Sequence, residues 1–158
     1  MKNFKFRVQI ESEYYTVYRD IQILTEQSLY ELHLAILDAY DFDHLYQAEL
    51  FTSDEMWRTY QRFISDDFEP KVPLFNNTLL NQLIAIPYQR LRYHYDPNKM
   101  WVFFITLIEI GTANPQKTYP LCCFKHGIAP AQYTPTEIAQ IKSLKSAKDI
   151  LKIKAAIR

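Results

Sequence analysis

The sequence predicts an α+β domain in which a largely antiparallel sheet of about five strands is covered on one face by helices. Residues 4–10 alternate apolar and polar side chains, the period of a half-buried strand. Residues 28–40 begin with a capping box and carry apolar residues at helical spacing. Two pairs of consecutive predicted strands, one near each end of the predicted domain, resemble hairpins, and the strands of a hairpin pair in antiparallel orientation.

The predicted element order is β-β-α-β-α-β-β, followed by a C-terminal helical tail. Alternation places the strands at residues 4–10, 14–24, 44–52, 90–96 and 101–110. The last of these strands is apolar on both faces over much of its length, which predicts a central position in the sheet.

Three connecting segments have weaker patterns. Residues 53–76 fit either a short helix that begins at Ser53 or an extended loop held by aromatic side chains. Residues 79–84 fit a short helix. Residues 111–133 contain both glycines, three prolines and the cysteine pair, which predicts an irregular connector.

Charge divides the chain into a predicted domain, residues 1–133, and a basic amphipathic helical extension, residues 134–158. The first segment holds 12 basic and 16 acidic residues, and the second holds 6 basic and 2 acidic residues. The extension fits a solvated tail or an arm that contacts an anionic partner. Capping boxes at Thr134 and at Ser146 predict two short helices within it.

Composition excludes several classes of protein. The 158 residues have a formal net charge of zero and 48% are hydrophobic, which excludes extended disorder. The longest apolar run, residues 100–108, is too short to span a membrane, and the N-terminus has no signal-peptide core. Two adjacent cysteines cannot join distant segments, so a reducing, cytoplasmic location is expected.

Motifs of catalysis and cofactor binding are missing from the sequence. Two glycines cannot form a phosphate-binding loop, and neither a nucleophile elbow nor a zinc-protease motif occurs. Cys122, Cys123 and His126 have poor spacing for tetrahedral zinc. The sequence therefore predicts no catalytic residue, cofactor or metal.

Two histidines are candidate functional residues. His33 lies on the apolar stripe of the first helix, where a buried core histidine competes with a functional one. His44 fits a cap of the helix–strand turn, with a proton carrier as the alternative. An acidic cluster at the helix end, Asp38, Asp41 and Asp43, opposes the helix dipole and predicts a basic neighbour, either Arg90 or Arg92.

Cations and aromatic residues alternate on the predicted strands. Arg90, Arg92 and His94 share one face of the fourth strand, and Lys5 and Arg7 share a face of the first. A sheet surface of this kind can stack bases and bind phosphates, whereas the acidic balance of residues 1–133 opposes binding.

Several short motifs together resemble the plasmid ORF-three-like family over residues 4–133. They are Tyr18-Arg19, Leu32-His33, His44-Leu45, Tyr93-His94-Tyr95-Asp96, Trp101, Tyr119-Pro120-Leu121-Cys122, Gly127, Ala129-Pro130 and Gln132-Tyr133. Members occur on plasmids and as passengers in insertion elements. The resemblance implies an α+β fold and an uncharacterised role, and it makes Tyr95, Asp96 and Trp101 candidate positions. The family's Gly-Asp before the tryptophan is missing here, so a function of that turn would be lost.

Three functions remain open at this point. The first is a non-enzymatic interaction domain that binds an unidentified protein partner or forms a homo-oligomer. The second is a nucleic-acid-binding accessory protein linked to mobile elements. An enzyme that uses His44 and Asp96 as an acid–base pair ranks third.

Overall fold

The computed structural model describes residues 1–144 and 147–157. It divides the chain into two compact units, Met1–Ile128 and the segment from Ala129 onward. The predicted second capping box begins at Ser146, which lies outside the described residues.

The first unit contains seven strands in one antiparallel sheet, two more than the five predicted. Its spatial order is β4-β3-β5-β6-β1-β2-β7. The strands are β1 Lys2–Ile10, β2 Tyr18–Leu24, β3 Ala48–Ser53, β4 Thr59–Ile64, β5 Arg90–Tyr95, β6 Trp101–Thr112 and β7 Leu121–His126. All six pairings are antiparallel. β6 occupies the centre of the sheet, as its apolar pattern predicts.

The two additional strands are the edge strands of the sheet. β4 lies in the segment for which a helix or a loop was expected, and β7 lies in the expected connector. An edge strand of a sheet exposes much of its surface, so its side chains need not alternate between apolar and polar. Sequence alternation therefore missed both strands, and pairing with β3 and β2 establishes them.

Other boundaries also differ from the prediction: β3 was expected from residue 44 and begins at Ala48, because residues 44–47 form no ladder. β2 begins at Tyr18, because residues 14–17 form no ladder and Tyr14 and Tyr15 are exposed. The predicted helix at 79–84 is replaced by one short 3-10 helix, Leu80–Gln82, and a second 3-10 helix, Phe75–Asn77, precedes it.

Helix α1, Leu29–Ala39, covers one face of the sheet. Its capping box is confirmed, since Ser28 Oγ accepts from the Glu31 backbone and the Glu31 carboxylate accepts from the Ser28 backbone, each at 3.2 Å. The apolar stripe is buried as predicted. This packing removes the covered face from water and supplies the main stabilisation of the fold.

A buried arginine ties the end of α1 to the sheet edge. Arg19 donates from Nε to the carbonyl of Ala39, and from Nη1 to the carbonyls of Tyr18, His126 and Gly127. A cation among carbonyls at a helix C-terminus is electrostatically favourable. One side chain therefore holds the C-terminal end of α1 against the β7 edge of the sheet.

The second unit contains α2, Pro135–Lys142, and α3, Ala147–Ile157. Thr134 and Glu137 form the predicted capping box. Lys154 lies over the ring of Tyr133 at 4.7 Å. Within the described residues, no helix has the length and apolar character needed to cross a bilayer.

Candidate functional site

The two faces of β5 carry different chemistry. Leu91, Tyr93 and Tyr95 are buried on the face that α1 covers. Arg90, Arg92 and His94 point to the opposite, open face, as alternation requires, and are half-buried there. The predicted shared face of these three residues is thus present in the fold.

Strand register aligns cations and aromatic residues across the open face. Arg92 lies opposite Phe51 of β3 on one side and Phe104 of β6 on the other. Arg90 occupies the next row, opposite Ser53 and Thr106. Directly paired positions place side chains within about 5 Å, so these groups form one continuous surface.

The loop between β3 and β4, residues 54–58, folds back toward this surface. Asp54 fixes the loop: Oδ1 accepts from the backbones of Met56 and Arg58 at 2.9 and 3.0 Å, and Oδ2 accepts from Arg58 Nε and the Tyr60 hydroxyl, both at 2.7 Å. The Tyr60 hydrogen bond first, with those from Arg58 and Met56, holds the pKa of Asp54 below its usual range. The carboxylate is therefore ionised at neutral pH.

Trp57 is held by this loop in a left-handed conformation, with φ at 62°. Such a conformation costs about 1–3 kcal/mol for a bulky residue and persists where the surroundings enforce it. The indole packs on Phe104 with ring centroids 4.9 Å apart, and the Arg90 guanidinium lies 4.6 Å from its centroid. We call Trp57, Arg90, Arg92 and Phe104 the Arg–aromatic cluster.

Both guanidiniums of the cluster also contact the loop backbone. Arg90 donates to the carbonyl of Glu55, and Arg92 donates weakly to that of Trp57 at 3.5 Å. Arg92 lies 5.7 Å from the Phe104 centroid. The buried Arg90 Nε has no hydrogen-bond partner within the described residues. The loop therefore orients both cations through its backbone carbonyls.

The other open-face cations are neutralised by carboxylates. Their closest ion-pair distances are 2.8 Å for Lys5–Glu109, 2.9 Å for Arg7–Asp20 and 2.6 Å for Arg62–Glu49. By contrast, neither Arg90 nor Arg92 has a carboxylate within 4 Å in the part of the chain that the structure describes. Among these open-face arginines and lysines, only Arg90 and Arg92 therefore lack a carboxylate partner in the described residues.

His94 extends the cluster as a neutral hydrogen-bond acceptor. Burial first, and then the neighbouring Arg92 charge, lower the pKa of His94. Arg92 Nε donates to His94 Nε2 at 3.0 Å, which leaves the proton of the neutral imidazole on Nδ1. Nδ1 lies 3.8 Å from a Glu49 oxygen. The imidazole thus supports the Arg92 side chain.

His33 is a core histidine with a satisfied ring nitrogen. Its Nδ1 and the Tyr93 hydroxyl are hydrogen-bonded to each other, and the ring packs against Phe75 and Tyr95. Burial, with a smaller contribution from His44, lowers the pKa of His33 to about 3. The neutral ring lies on the covered face, away from the Arg–aromatic cluster.

His44 contacts the acidic helix end, for which Arg90 or Arg92 was the expected neighbour. His44 Nε2 lies 2.7 Å from Asp38 Oδ1, whereas the two arginines lie on the open face. That expectation is wrong, because a basic group six residues along the chain already reaches the carboxylate. The contact closes the turn between α1 and β3.

The remaining candidates organise the turns at one end of β5 and β6. The Tyr95 hydroxyl donates to the carbonyl of Asp43 and accepts from the backbone of Tyr46. Asp96, with φ at 62°, accepts from the backbones of Asn98 and Met100. These contacts give both residues a role in chain geometry.

Trp101 packs on Phe42 at 5.0 Å, and its buried indole nitrogen has no hydrogen-bond partner among the described residues. A cavity of about 280 Å³ includes Asp96 and His94 in its lining. His44 is not among the lining residues that the structure describes, so the hypothetical His44–Asp96 pair is not assembled there.

Metal-ligating side chains do not gather in the described residues: no group of three histidine, cysteine, aspartate or glutamate residues could hold an ion. Cys122 and Cys123 are free thiols. Cys123 Sγ contacts the carbonyl of Asp20 at 3.4 Å, and burial raises the pKa of this thiol.

Sequence reasoning missed Asp54, Trp57 and Phe104 as members of the site. Phe104 follows the alternation of β6, so its face was readable once the pairing with β5 was known. Trp57 gave no such signal, because only the turn held by Asp54 brings it over the sheet.

Comparison with known proteins places the chain in a family. A family model described as plasmid pRiA4b ORF-3-like protein matches residues 2–151, which extends past the expected 4–133 and includes α2 and part of α3. A crystal structure of a protein of unknown function from Methanosarcina mazei Go1 is similar in fold, with a TM-score of 0.73 and 15% identity over 96% of this chain and 88% of that chain. No curated protein matches significantly. The chain belongs to the plasmid pRiA4b ORF-3-like family.

Proposed function

We propose that this chain is a binding domain without a reaction of its own, and that it binds single-stranded nucleic acid on the open face of the sheet. The observation that carries the proposal is the Arg–aromatic cluster. It combines two guanidiniums that have no carboxylate partner with two aromatic rings on one surface. Single strands are bound by this combination, since rings stack on bases and cations contact phosphates.

The acidic balance of residues 1–133 limits the number of phosphates that the surface can contact. Twelve basic residues oppose 16 acidic residues there, and most open-face cations are already paired. We therefore expect two phosphate contacts, through Arg90 and Arg92. For single strands this number corresponds to a slope of about −1.4 in a plot of log affinity against log salt concentration.

Fluorescence anisotropy with labelled single-stranded DNA, single-stranded RNA and a duplex tests the proposal across a salt series. We expect the full chain to bind single strands more tightly than the duplex, with the shallow slope given above. The Arg90→Gln/Arg92→Gln variant should lose about tenfold or more in affinity at low salt and most of its salt dependence.

Lys117→Gln is the matched control, because it removes an exposed cation from the β6–β7 connection. It should bind as the unaltered chain does. Equal affinity of the double arginine variant, or no binding at low salt, would contradict the proposal. The hypothesis of a protein partner or a second copy would then take precedence.

A further inference from the structure

The carboxylate of Asp54 fixes the loop that carries Trp57. We infer that Asp54 is a positioning residue that preorganises the Arg–aromatic cluster for a stacked base. The inference rests on the proposed function, because it concerns the same surface. The hydrogen bonds of the Asp54 carboxylate go to Met56 and Arg58 of the loop and to the Tyr60 hydroxyl of β4, and none goes to Arg90 or Arg92.

The hydrogen bonds of Asp54 account for the shape of the loop. Four donors converge on the two oxygens of one side chain, and the Trp57 backbone also donates to the Asp54 carbonyl at 3.1 Å. These bonds span residues 54–60 and keep the chain in a tight turn. Without the side-chain bonds, only the backbone bonds from Trp57 to Asp54 and from Asp54 to Arg58 remain in the turn to offset the unfavourable left-handed conformation of Trp57.

The position of the loop in turn determines how the side chains of the Arg–aromatic cluster are arranged. The indole of Trp57 reaches Arg90 and Phe104, and the carbonyls of Glu55 and Trp57 accept from the two guanidiniums. Loss of the turn therefore removes a stacking ring and releases both cations at once. Preorganised rings bind at lower entropic cost than mobile ones.

Substitutions at positions 54 and 57 test this arrangement. Asp54→Ala removes all four side-chain bonds, whereas Asp54→Asn keeps an oxygen for the backbones of Met56 and Arg58. Trp57→Gly deletes the ring, and glycine tolerates the left-handed conformation. We expect Asp54→Ala and Trp57→Gly each to lower affinity for a labelled oligothymidylate between about 5-fold and 150-fold, the range for one stacked base. Asp54→Asn should lie between Asp54→Ala and the unaltered chain.

A double variant separates positioning from a direct contact. If Asp54 acts through Trp57, the losses of affinity in the two single variants do not add in Asp54→Ala/Trp57→Gly. The double variant then binds more weakly than Trp57→Gly only because the loop no longer orients Arg90 and Arg92. Asp38→Asn is the control, because it alters an exposed carboxylate on α1. Additive losses, or unaltered affinity of Asp54→Ala beside a weakened Trp57→Gly, would overturn the inference while the proposed function stands.

A spectroscopic measurement reports on the loop without any ligand. The Trp57 indole N–H signal, assigned by its disappearance in Trp57→Gly, should be shifted by the Phe104 ring in the unaltered chain. In Asp54→Ala it should move to the position of a solvated indole, with the other amide signals retained. An unmoved signal would overturn the inference. Failure of the unaltered chain to bind any oligonucleotide would instead refute the proposed function.

Discussion

The covered and open faces of β5 use neighbouring residues for different purposes. On the covered face, Leu91 and Tyr93 are buried, and the Tyr93 hydroxyl has a hydrogen-bond partner inside the core, the His33 ring. On the open face, Arg90 and Arg92 lie against aromatic rings and loop carbonyls without a carboxylate among the described residues. The Tyr93 hydroxyl thus contributes to the core, whereas the two guanidiniums contact aromatic rings and loop carbonyls at the surface of the sheet.

Substitution of adjacent residues in β5 is the strongest way to separate these two roles. Leu91→Ala removes a buried side chain and should lower the free energy of unfolding by about 2–5 kcal/mol. Arg92→Ala loses one cation–π contact and the half-buried hydrogen bond to His94, and should lower it by about 2 kcal/mol or less. Urea unfolding measures both values. Comparable losses in the two variants would show that the open face also serves the core.

Acid should destabilise the covered face through His33. Its pKa is about 3 in the folded chain against 6.5 for an ordinary histidine, so the unfolded chain binds one more proton between these values. Stability is then full above pH 6.5 and falls by about 1.4 kcal/mol per pH unit as the pH drops toward 3.

The difference in this slope between the unaltered chain and His33→Gln isolates the contribution of His33. We expect the variant to be less stable at pH 7 and to have a flatter dependence on pH between 6.5 and 3. An NMR titration of the imidazole gives the same pKa independently. A ring that titrates near 6.5 in the folded chain would contradict the expected slope.

Lys5→Gln should have the smallest effect on stability, and it tests whether a paired open-face cation differs from the unpaired arginines. Lys5 is paired with the exposed Glu109, so its removal should lower the free energy of unfolding by less than about 1 kcal/mol. Because its charge is already neutralised, the salt slope for single-stranded DNA should stay near that of the unaltered chain. A change as large as that of Arg92→Gln would show that paired cations also contact phosphates.

Histidine and aspartate at motif positions illustrate what sequence reasoning could resolve about the site. The core position of His33 was predictable, because it lies on an apolar helical stripe. The neighbour of Asp38 was not, since a helix dipole argument requires a cation without identifying which one. Arg90 and Arg92 were placed correctly on one strand face, yet the sequence could not show which carboxylates neutralise the other cations.

Local sequence patterns were sufficient to predict the elements that carry their own capping or apolar signal. Ser28 with Glu31 fixed the start of α1, alternation fixed β1 and β5, and an apolar run fixed the central β6. Capping and periodicity involve residues that are close in the chain, so both can be recognised in the sequence alone.

Tertiary structure decided the features that depend on distant partners. The edge strands β4 and β7 exist because β3 and β2 offer them backbone partners, and the Trp57 ring meets Phe104, 47 positions along the chain, only through strand register. The family match establishes that the chain belongs to the family and assigns it no ligand. Pairing energy between distant segments leaves no periodic trace in either one, and for that reason the sequence predicted the core of this protein better than the open face of its sheet.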